Sequence, residues 1–102
     1  MSKEITFYSR FSSDIRSGLK TITIRDHSES DYQSGNLVKA FTNPEGEFIA
    51  NLKVVDVYPV RIEDLTETHA KQENMSLPEL KSVIKEIYPD ENNFFVIEFA
   101  TE

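Results

Sequence analysis

Near the start of the chain, the spacing of hydrophobic residues changes from that of a helix to that of a strand, and the change occurs around Gly18. Three apolar residues recur every four positions, which is typical of one face of a helix: Phe11, Ile15 and Leu19. Gly18 is suited to end this helix, because glycine enters the left-handed conformation without steric cost. Residues 21–26 then alternate β-branched and polar side chains, which predicts a strand with one polar face made of Thr21, Thr23 and Arg25.

Further extended segments are predicted from similar patterns, at residues 5–8, 37–42, 47–60 and 94–99. The long segment 47–60 loses its alternation around Val54, which a β-bulge near that residue would explain. The last segment is apolar on nearly both faces, as expected for a central strand that is covered on both sides. Residues 27–36 are polar and rich in turn formers, so they predict a loop that is able to close over a site.

Two more helices are expected before the last strand. Asp64 and Glu67 have the spacing of a capping box, and Ser76 and Glu79 repeat that spacing. The second of these helices has an apolar stripe and should end before a proline: Leu77, Leu80, Val83, Ile84 and Ile87 precede Pro89. The order β-α-β-β-β-α-α-β predicts an α+β fold with a curled mixed sheet, in a single domain covering residues 1–102.

Composition narrows the function classes. The chain has 102 residues, no cysteine and two histidines, so a thiolate nucleophile and a cysteine-based zinc site are excluded. We therefore expect neither a metal nor a cofactor. The apolar runs are shorter than the roughly 20 residues that span a bilayer, and the N-terminus lacks the apolar region of a signal peptide. These features predict a cytoplasmic protein without a membrane partner.

The net charge of −7 argues against binding to a long nucleic acid, whose affinity comes largely from cations that neutralise phosphates. Residues 1–25 nevertheless contain five cations and two carboxylates, a local balance of +3 that leaves −10 for the rest. This basic segment suits a small ligand or a single phosphate, and an ordinary solvated surface is the alternative. We expect a small-molecule partner and a monomer or a weak oligomer.

A motif in this basic segment carries a family resemblance. Gly18, Lys20, Thr23 and Arg25 form Gly-x-Lys-x-x-Thr-x-Arg, which resembles the Gly-x-Lys-x-x-Glu-x-Arg signature of ASCH domains, PUA-like β-barrels linked to RNA and modified nucleosides. Several segments extend the resemblance over essentially the whole chain to the YqfB-type bacterial N4-acetylcytidine amidohydrolases: residues 20–26, 65–75 and 95–99. Thr23 stands where most ASCH domains have an acid, and the YqfB-type branch shares this threonine. The resemblance therefore favours the amidohydrolase over a generic RNA-binding role.

This resemblance implies a small PUA-like mixed β-barrel flanked by helices. It also implies hydrolysis of the acetyl amide of N4-acetylcytidine, a modified nucleoside, to cytidine and acetate. In that family a lysine, a threonine and a glutamate act together, and the matching positions are Lys20, Thr23 and Glu73. Arg25 shares the face of Thr23 and is a candidate for binding the substrate, while a structural ion pair with Asp26, Glu29 or Glu98 is the alternative.

The proposed roles set physical conditions on these residues. A threonine hydroxyl needs a base during attack, and Lys20 is the nearest candidate in sequence. Its pKa would have to fall from about 10.4 to near 7, at a cost of roughly 4 kcal/mol, and burial and a nearby Arg25 act in that direction. Lys20 and Thr23 have opposite parity in an ideal strand, so Lys20 should precede the regular strand. An ordinary surface lysine and a sheet threonine are the alternative.

Glu73 fits an acid role only if it carries a proton, because an ionised carboxylate beside Lys20 would raise the lysine pKa. Leu65, His69 and Glu73 recur at four-residue spacing, which indicates that Glu73 faces the interior. A surface glutamate at a fraying helix end is the alternative. For the whole chain, a non-catalytic PUA-like module that binds RNA or a modified nucleotide remains the rival function, and an adaptor with an exposed apolar patch is a third.

Overall fold

Five strands form one curled sheet in the order β1-β3-β4-β5-β2, so the two strands nearest the N-terminus lie at its opposite edges. The computed structural model describes residues 3–102. The strands are β1 (Lys3–Phe7), β2 (Ile22–Arg25), β3 (Leu37–Thr42), β4 (Phe48–Arg61) and β5 (Asn93–Thr101). β1 runs parallel to β3, and all the other pairings are antiparallel. The prediction of an α+β fold with a curled mixed sheet is confirmed.

Three α-helices complete the predicted order: α1 (Ser12–Ser17), α2 (Glu67–Gln72) and α3 (Leu77–Ile87). α3 begins at the predicted cap, where the Ser76 hydroxyl oxygen accepts from the Glu79 N–H at 3.3 Å. The bulge predicted near Val54 is confirmed by a shift of register between Val54 and Asp56. Across residues 3–102, no helix is both long and apolar enough to cross a membrane.

The predicted capping box at Asp64 and Glu67 is wrong. Residues Ile62–Asp64 form a 3-10 turn and Leu65 is extended, so α2 begins at Glu67 with Thr66 as its cap. The Thr66 N–H donates to His69 Nδ1 at 3.1 Å, and the histidine takes the place of the usual glutamate. The predicted loop 27–36 also contains regular structure, a 3-10 turn at His27–Glu29.

Two clusters of apolar side chains lie on either side of the sheet. One packs α1 onto β1, β3, β4 and β5, and the other packs α2 and α3 onto β2 and β5. The alternation of β5 explains this division, since Phe94 and Val96 belong to the second cluster whereas Ile97 and Phe99 belong to the first. A pocket lies between the edge strands β1 and β2, and residues of both clusters line it.

Candidate active site

The connection from α1 to β2 places Lys20 outside the regular strand. Gly18 ends the helix with φ of 80°, in the left-handed conformation predicted for it. The N–H groups of Leu19 and Lys20 then both donate to the Asp14 carbonyl, at 2.9 and 3.0 Å. β2 begins only at Ile22, so the opposite parity of Lys20 and Thr23 does not separate them, and both line the same pocket.

The Lys20 side chain is buried, with 3% of its surface exposed. Its ammonium nitrogen donates to the Ile22 carbonyl at 2.8 Å and to Glu73 Oε1. It also lies over two aromatic rings, 4.9 Å from the Phe11 centroid and 5.8 Å from the Phe7 centroid. The amine is therefore held in one position, with apolar walls around it.

This environment changes the acidity of Lys20. Burial, together with the positive charge of Arg25, lowers the pKa of Lys20 to about 7, and the more weakly acting Asp14 opposes the change. A lysine with that pKa is partly neutral at physiological pH. A role as a base requires a pKa near 7 for Lys20, and the surroundings of the amine lower its pKa to about that value.

Glu73 occupies the C-cap of α2 and is 5% exposed. Its N–H donates to the His69 carbonyl at 3.0 Å, and the next residue, Asn74, turns the chain away with φ of 57°. Glu73 therefore lies at a helix end, as in the surface alternative, but its side chain is buried and paired with Lys20. His69 itself caps α2 and approaches the Tyr58 hydroxyl at 3.0 Å.

Thr23 is 4% exposed and lies on β2 opposite Ile97. Its hydroxyl oxygen accepts a hydrogen bond of 2.9 Å from Arg25 Nε, the residue two positions along the same face. Among the hydrogen bonds of residues 3–102, none joins Thr23 to Lys20, although both side chains reach the same pocket. The hydroxyl proton of Thr23 thus has no protein acceptor in the part of the chain that the structure describes.

Arg25 spans the gap between the two edge strands. Its Nη2 donates to the Thr6 carbonyl on β1 at 2.6 Å, and its Nη1 pairs with Glu29 Oε2 at 3.3 Å. The guanidinium also stacks on Phe7, at 5.1 Å from the ring centroid. Of the three carboxylates considered from sequence, Glu29 is the partner that the structure gives to Arg25.

Sequence reasoning missed the role of Glu29 and Tyr88 at the pocket mouth. The Tyr88 hydroxyl donates to Glu29 Oε2 at 2.8 Å, and the two residues are 59 positions apart. Tyr88 follows α3 and its ring packs against Phe94, with centroids 5.6 Å apart. No local pattern predicts this contact, because it depends on how α3 packs against the sheet.

The pocket has a volume of about 140 Å³. A cavity of that size accommodates one six-membered ring. Lys20, Thr23, Arg25 and Glu73 share the pocket with apolar side chains, and further polar residues also line it. The apolar residues include Phe7, Phe11, Leu80, Ile84 and Ile87, and the further polar ones include Thr6, Glu29, Asn43 and Tyr88. Within residues 3–102, no three His, Cys, Asp or Glu side chains form a group that could hold a metal ion.

Curated relatives are similar over almost the whole chain. The N(4)-acetylcytidine amidohydrolase of Serratia proteamaculans is 57% identical over 100 residues, with 98% of each chain covered. The protein of the same name from Pasteurella multocida is 55% identical, with 96% of this chain and 94% of the relative covered. The chain belongs to the N(4)-acetylcytidine amidohydrolase family.

Solved structures show that this family member has the fold of ASCH domains. The ASCH domain of Lactobacillus crispatus gives a TM-score of 0.80 at 15% identity, covering 97% of this chain and 79% of that one. ASCH from Zymomonas mobilis gives 0.74 at 13% identity, covering 95% and 65%. No family model matches the chain. The predicted PUA-like architecture is confirmed by these neighbours.

Proposed function

We propose that this protein hydrolyses the acetyl amide of N4-acetylcytidine, giving cytidine and acetate. The observation that carries the proposal is the buried Lys20–Glu73 pair beside Thr23, in a pocket that holds one ring. Relatives at 47–57% identity are named for this reaction. The substrate is a small modified nucleoside, and the protein acts as one domain, as a monomer or a weak oligomer.

Thr23 is the nucleophile and Lys20 its base. The neutral amine of Lys20 takes the hydroxyl proton while Thr23 Oγ1 bonds to the acetyl carbon, because a lysine whose pKa lies near 7 is both available and basic enough. The contact between the two groups forms when the amine exchanges one of its present hydrogen bonds for the threonine hydroxyl. Such bonds commonly tighten only when substrate is bound.

Arg25 supports the attack through its bond to the nucleophile. Its Nε–H points at Thr23 Oγ1, so negative charge that develops on this oxygen is stabilised by a charged donor. A guanidinium has five N–H donors, and the contacts with Thr23, Thr6 and Glu29 use three of them. The remaining donors are available to the acetyl oxygen or to the pyrimidine carbonyl, which keeps Arg25 as a substrate-binding residue.

Glu73 is the acid. An ionised Glu73 would raise the pKa of Lys20 and so oppose its role as a base. Lys20 can act as base and Glu73 as acid when the pair shares a single proton and the carboxyl group carries it. As the tetrahedral intermediate collapses, the bond from the acetyl carbon to N4 breaks and N4 takes the proton from Glu73. Cytidine leaves, and the site then contains acetyl-Thr23, protonated Lys20 and ionised Glu73.

Water completes the cycle with the same two groups in reversed roles. Glu73 takes a proton from water as its oxygen attacks the acetyl carbon, and Lys20 returns a proton to Thr23 Oγ1 as the ester bond breaks. Acetic acid is released and all three side chains regain their starting forms. Both steps conserve protons within the site, so no cofactor is needed.

Incubation of the purified protein with N4-acetylcytidine tests the proposal. Chromatography should reveal cytidine and acetate in equal amounts, with the same rate in the presence of EDTA. The Thr23→Ala protein is the control for a contaminating hydrolase. Tight binding of the nucleoside without turnover would instead support the PUA-like binding module, and activity abolished by EDTA and restored by zinc would contradict the metal-free mechanism.

A further inference from the structure

The geometry of the substrate and the size of the pocket decide where the sugar goes. In N4-acetylcytidine the acetylated nitrogen is attached at C4, and ribose is attached at N1, directly across the pyrimidine ring. If the acetyl group lies against Thr23, the ring fills the pocket of about 140 Å³ and the ribose must extend out through the mouth. The groups at the mouth therefore contact the sugar.

Glu29 lines the mouth of the pocket, and its carboxylate is positioned to accept further hydrogen bonds. Its side chain is 49% exposed, and its Oε2 accepts from Tyr88 and Arg25. Within residues 3–102, no protein group donates to the other oxygen, Oε1. Burial, together with the hydrogen bond to Glu29, raises the pKa of Tyr88, so the phenol keeps its proton and acts as the donor in this hydrogen bond.

The open cleft beside Glu29 carries a small excess of negative charge. Arg25 and Glu29 line both the pocket and a more open cleft of about 580 Å³. Two cations and three carboxylates line that cleft, a balance of −1: Lys3, Arg25, Glu4, Glu29 and Asp31. Both cations already have carboxylate partners, Asp31 for Lys3 and Glu29 for Arg25. A hydroxyl group fits such a surface, whereas a phosphate meets uncompensated negative charge.

We propose that Glu29 selects the sugar part of the substrate: its carboxylate accepts a hydrogen bond from a ribose hydroxyl and repels a 5′-phosphate, so that free nucleosides are taken and nucleotides are rejected. The inference rests on the proposed function, because it assumes that the acetyl group lies at Thr23. It assigns to Glu29 a role in specificity, separate from the reacting atoms.

Three substrates test the inference when they are compared in one assay: N4-acetylcytosine, N4-acetylcytidine and N4-acetylcytidine 5′-monophosphate. In the native protein, kcat/KM for the nucleoside should exceed that for the monophosphate by about tenfold or more. Glu29→Gln should reduce this ratio to about threefold or less, mainly through KM, because the amide removes the charge and keeps the size. The ratio of the two kcat/KM values is compared because a loss of activity caused by the altered contact with Arg25 affects both substrates and cancels.

Glu86→Gln is the matched control, since Glu86 is an exposed carboxylate on α3 that does not line the pocket. It should leave the ratio unchanged. Equal turnover of the nucleoside and the monophosphate by the native protein, or an unchanged ratio in Glu29→Gln, would overturn the inference and leave the proposed function standing. Failure to hydrolyse all three substrates would overturn both.

Discussion

The backbone N–H of Thr21 donates a hydrogen bond of 2.7 Å to the carbonyl oxygen of Gln72. This bond joins the start of β2 to the end of α2, and the residues next to its two ends are Lys20 and Glu73. The buried pair is thus set by the backbone and not by the side chains alone. Thr21 is also tied on its other side, where its carbonyl accepts from the Phe99 N–H at 2.9 Å.

Thr23→Ala and Lys20→Ala should each remove most of the deacetylase activity. Residues that act as a unit are not additive, so the double variant should be little worse than either single one. Steady-state kinetics on N4-acetylcytidine, with circular dichroism to check folding, measures the effect.

Thr68→Ala and Lys53→Ala are matched controls, because both side chains are exposed and lie away from the pocket. Turnover by Thr23→Ala at the native rate would show that water attacks the acetyl group directly.

The activity should depend on the protonation of Lys20. Since the base is the neutral amine and its pKa is lowered to about 7, kcat/KM should rise as the pH increases through about 7. Lys20→Arg keeps a cation that does not lose its proton in this range, so it should be inactive at every pH. A native profile that is flat from pH 6 to 8 would contradict the assignment of Lys20 as base.

Lys20 should also make the free energy of unfolding depend on pH. Between pH 7 and 10.5 the folded state binds fewer protons at Lys20 than the unfolded state does, because the folded pKa is about 7 and the ordinary value is 10.5. The contribution of Lys20 to the free energy of unfolding should therefore rise with pH across this window, by up to about 1.4 kcal/mol per pH unit. Below pH 7 its burial costs the most.

Urea unfolding at pH 7, 8 and 9 measures this dependence against the Lys20→Met variant, which removes the titrating amine and keeps Glu73, so that any contribution of Glu73 is common to both proteins. The native protein should gain stability relative to Lys20→Met as the pH rises. A constant difference at all three pH values would contradict the lowered pKa.

Local chemistry explains why part of the site was predictable. Gly18 follows residues with helical spacing and precedes residues with strand spacing, so the sequence predicts a left-handed turn at this glycine. The turn ends α1 and places Lys20 in the connection to β2. The start of α2 was not predictable in this way. The Ile62 N–H donates to the Asn92 carbonyl at 3.0 Å, a contact made with a segment far along the chain, and this tertiary contact accompanies the 3-10 turn that delays the helix.

Local sequence patterns do not predict contacts between residues that are far apart in the chain. Lys20 and Glu73 are 53 positions apart, and no local spacing relates them. The four-residue recurrence of Leu65, His69 and Glu73 did indicate a buried face, although Leu65 precedes the helix and is buried by its own packing. The roles of Lys20, Thr23 and Glu73 came from family resemblance, and they remain predictions until the variants are measured.

Gly18→Ala should damage activity through the backbone. A Cβ at Gly18 would meet nothing within 4 Å, so the cost of the substitution comes from its φ of +80° alone, about 1 kcal/mol. Relief of that strain would shift the turn that places Lys20, so kcat should fall together with stability.

Gly35→Ala is a matched control, since Gly35 has φ of +93° with equally open surroundings and does not line the pocket. It should lose similar stability and keep its activity. Thermal unfolding and kcat, measured on both variants, separate the two effects; equal activity in the two would show that the turn at Gly18 has no special part in placing Lys20.

Glu73→Gln should impair turnover more than binding. The amide keeps the size of a protonated carboxyl group and its ability to donate a hydrogen bond, but it cannot deliver a proton to N4. Because Glu73 is 5% exposed and contacts the amine of Lys20, the substitution changes the reacting pair directly and leaves the pocket wall in place. We expect a loss of about 100-fold or more in kcat, within the range found for general acids, with a much smaller change in KM.

The pH profile distinguishes this acid role from a structural one. With Lys20 as base and Glu73 as acid, the native kcat/KM should be bell-shaped, and Glu73→Gln should lose the limb set by the acid while keeping the one set by Lys20. Glu67→Gln, an exposed position in the first turn of the same helix, serves as the control and should keep both limbs. If Glu73→Gln also kept both limbs with near-native kcat, Glu73 would be a partner that only positions Lys20, and the proton for N4 would have to come from another group or from water.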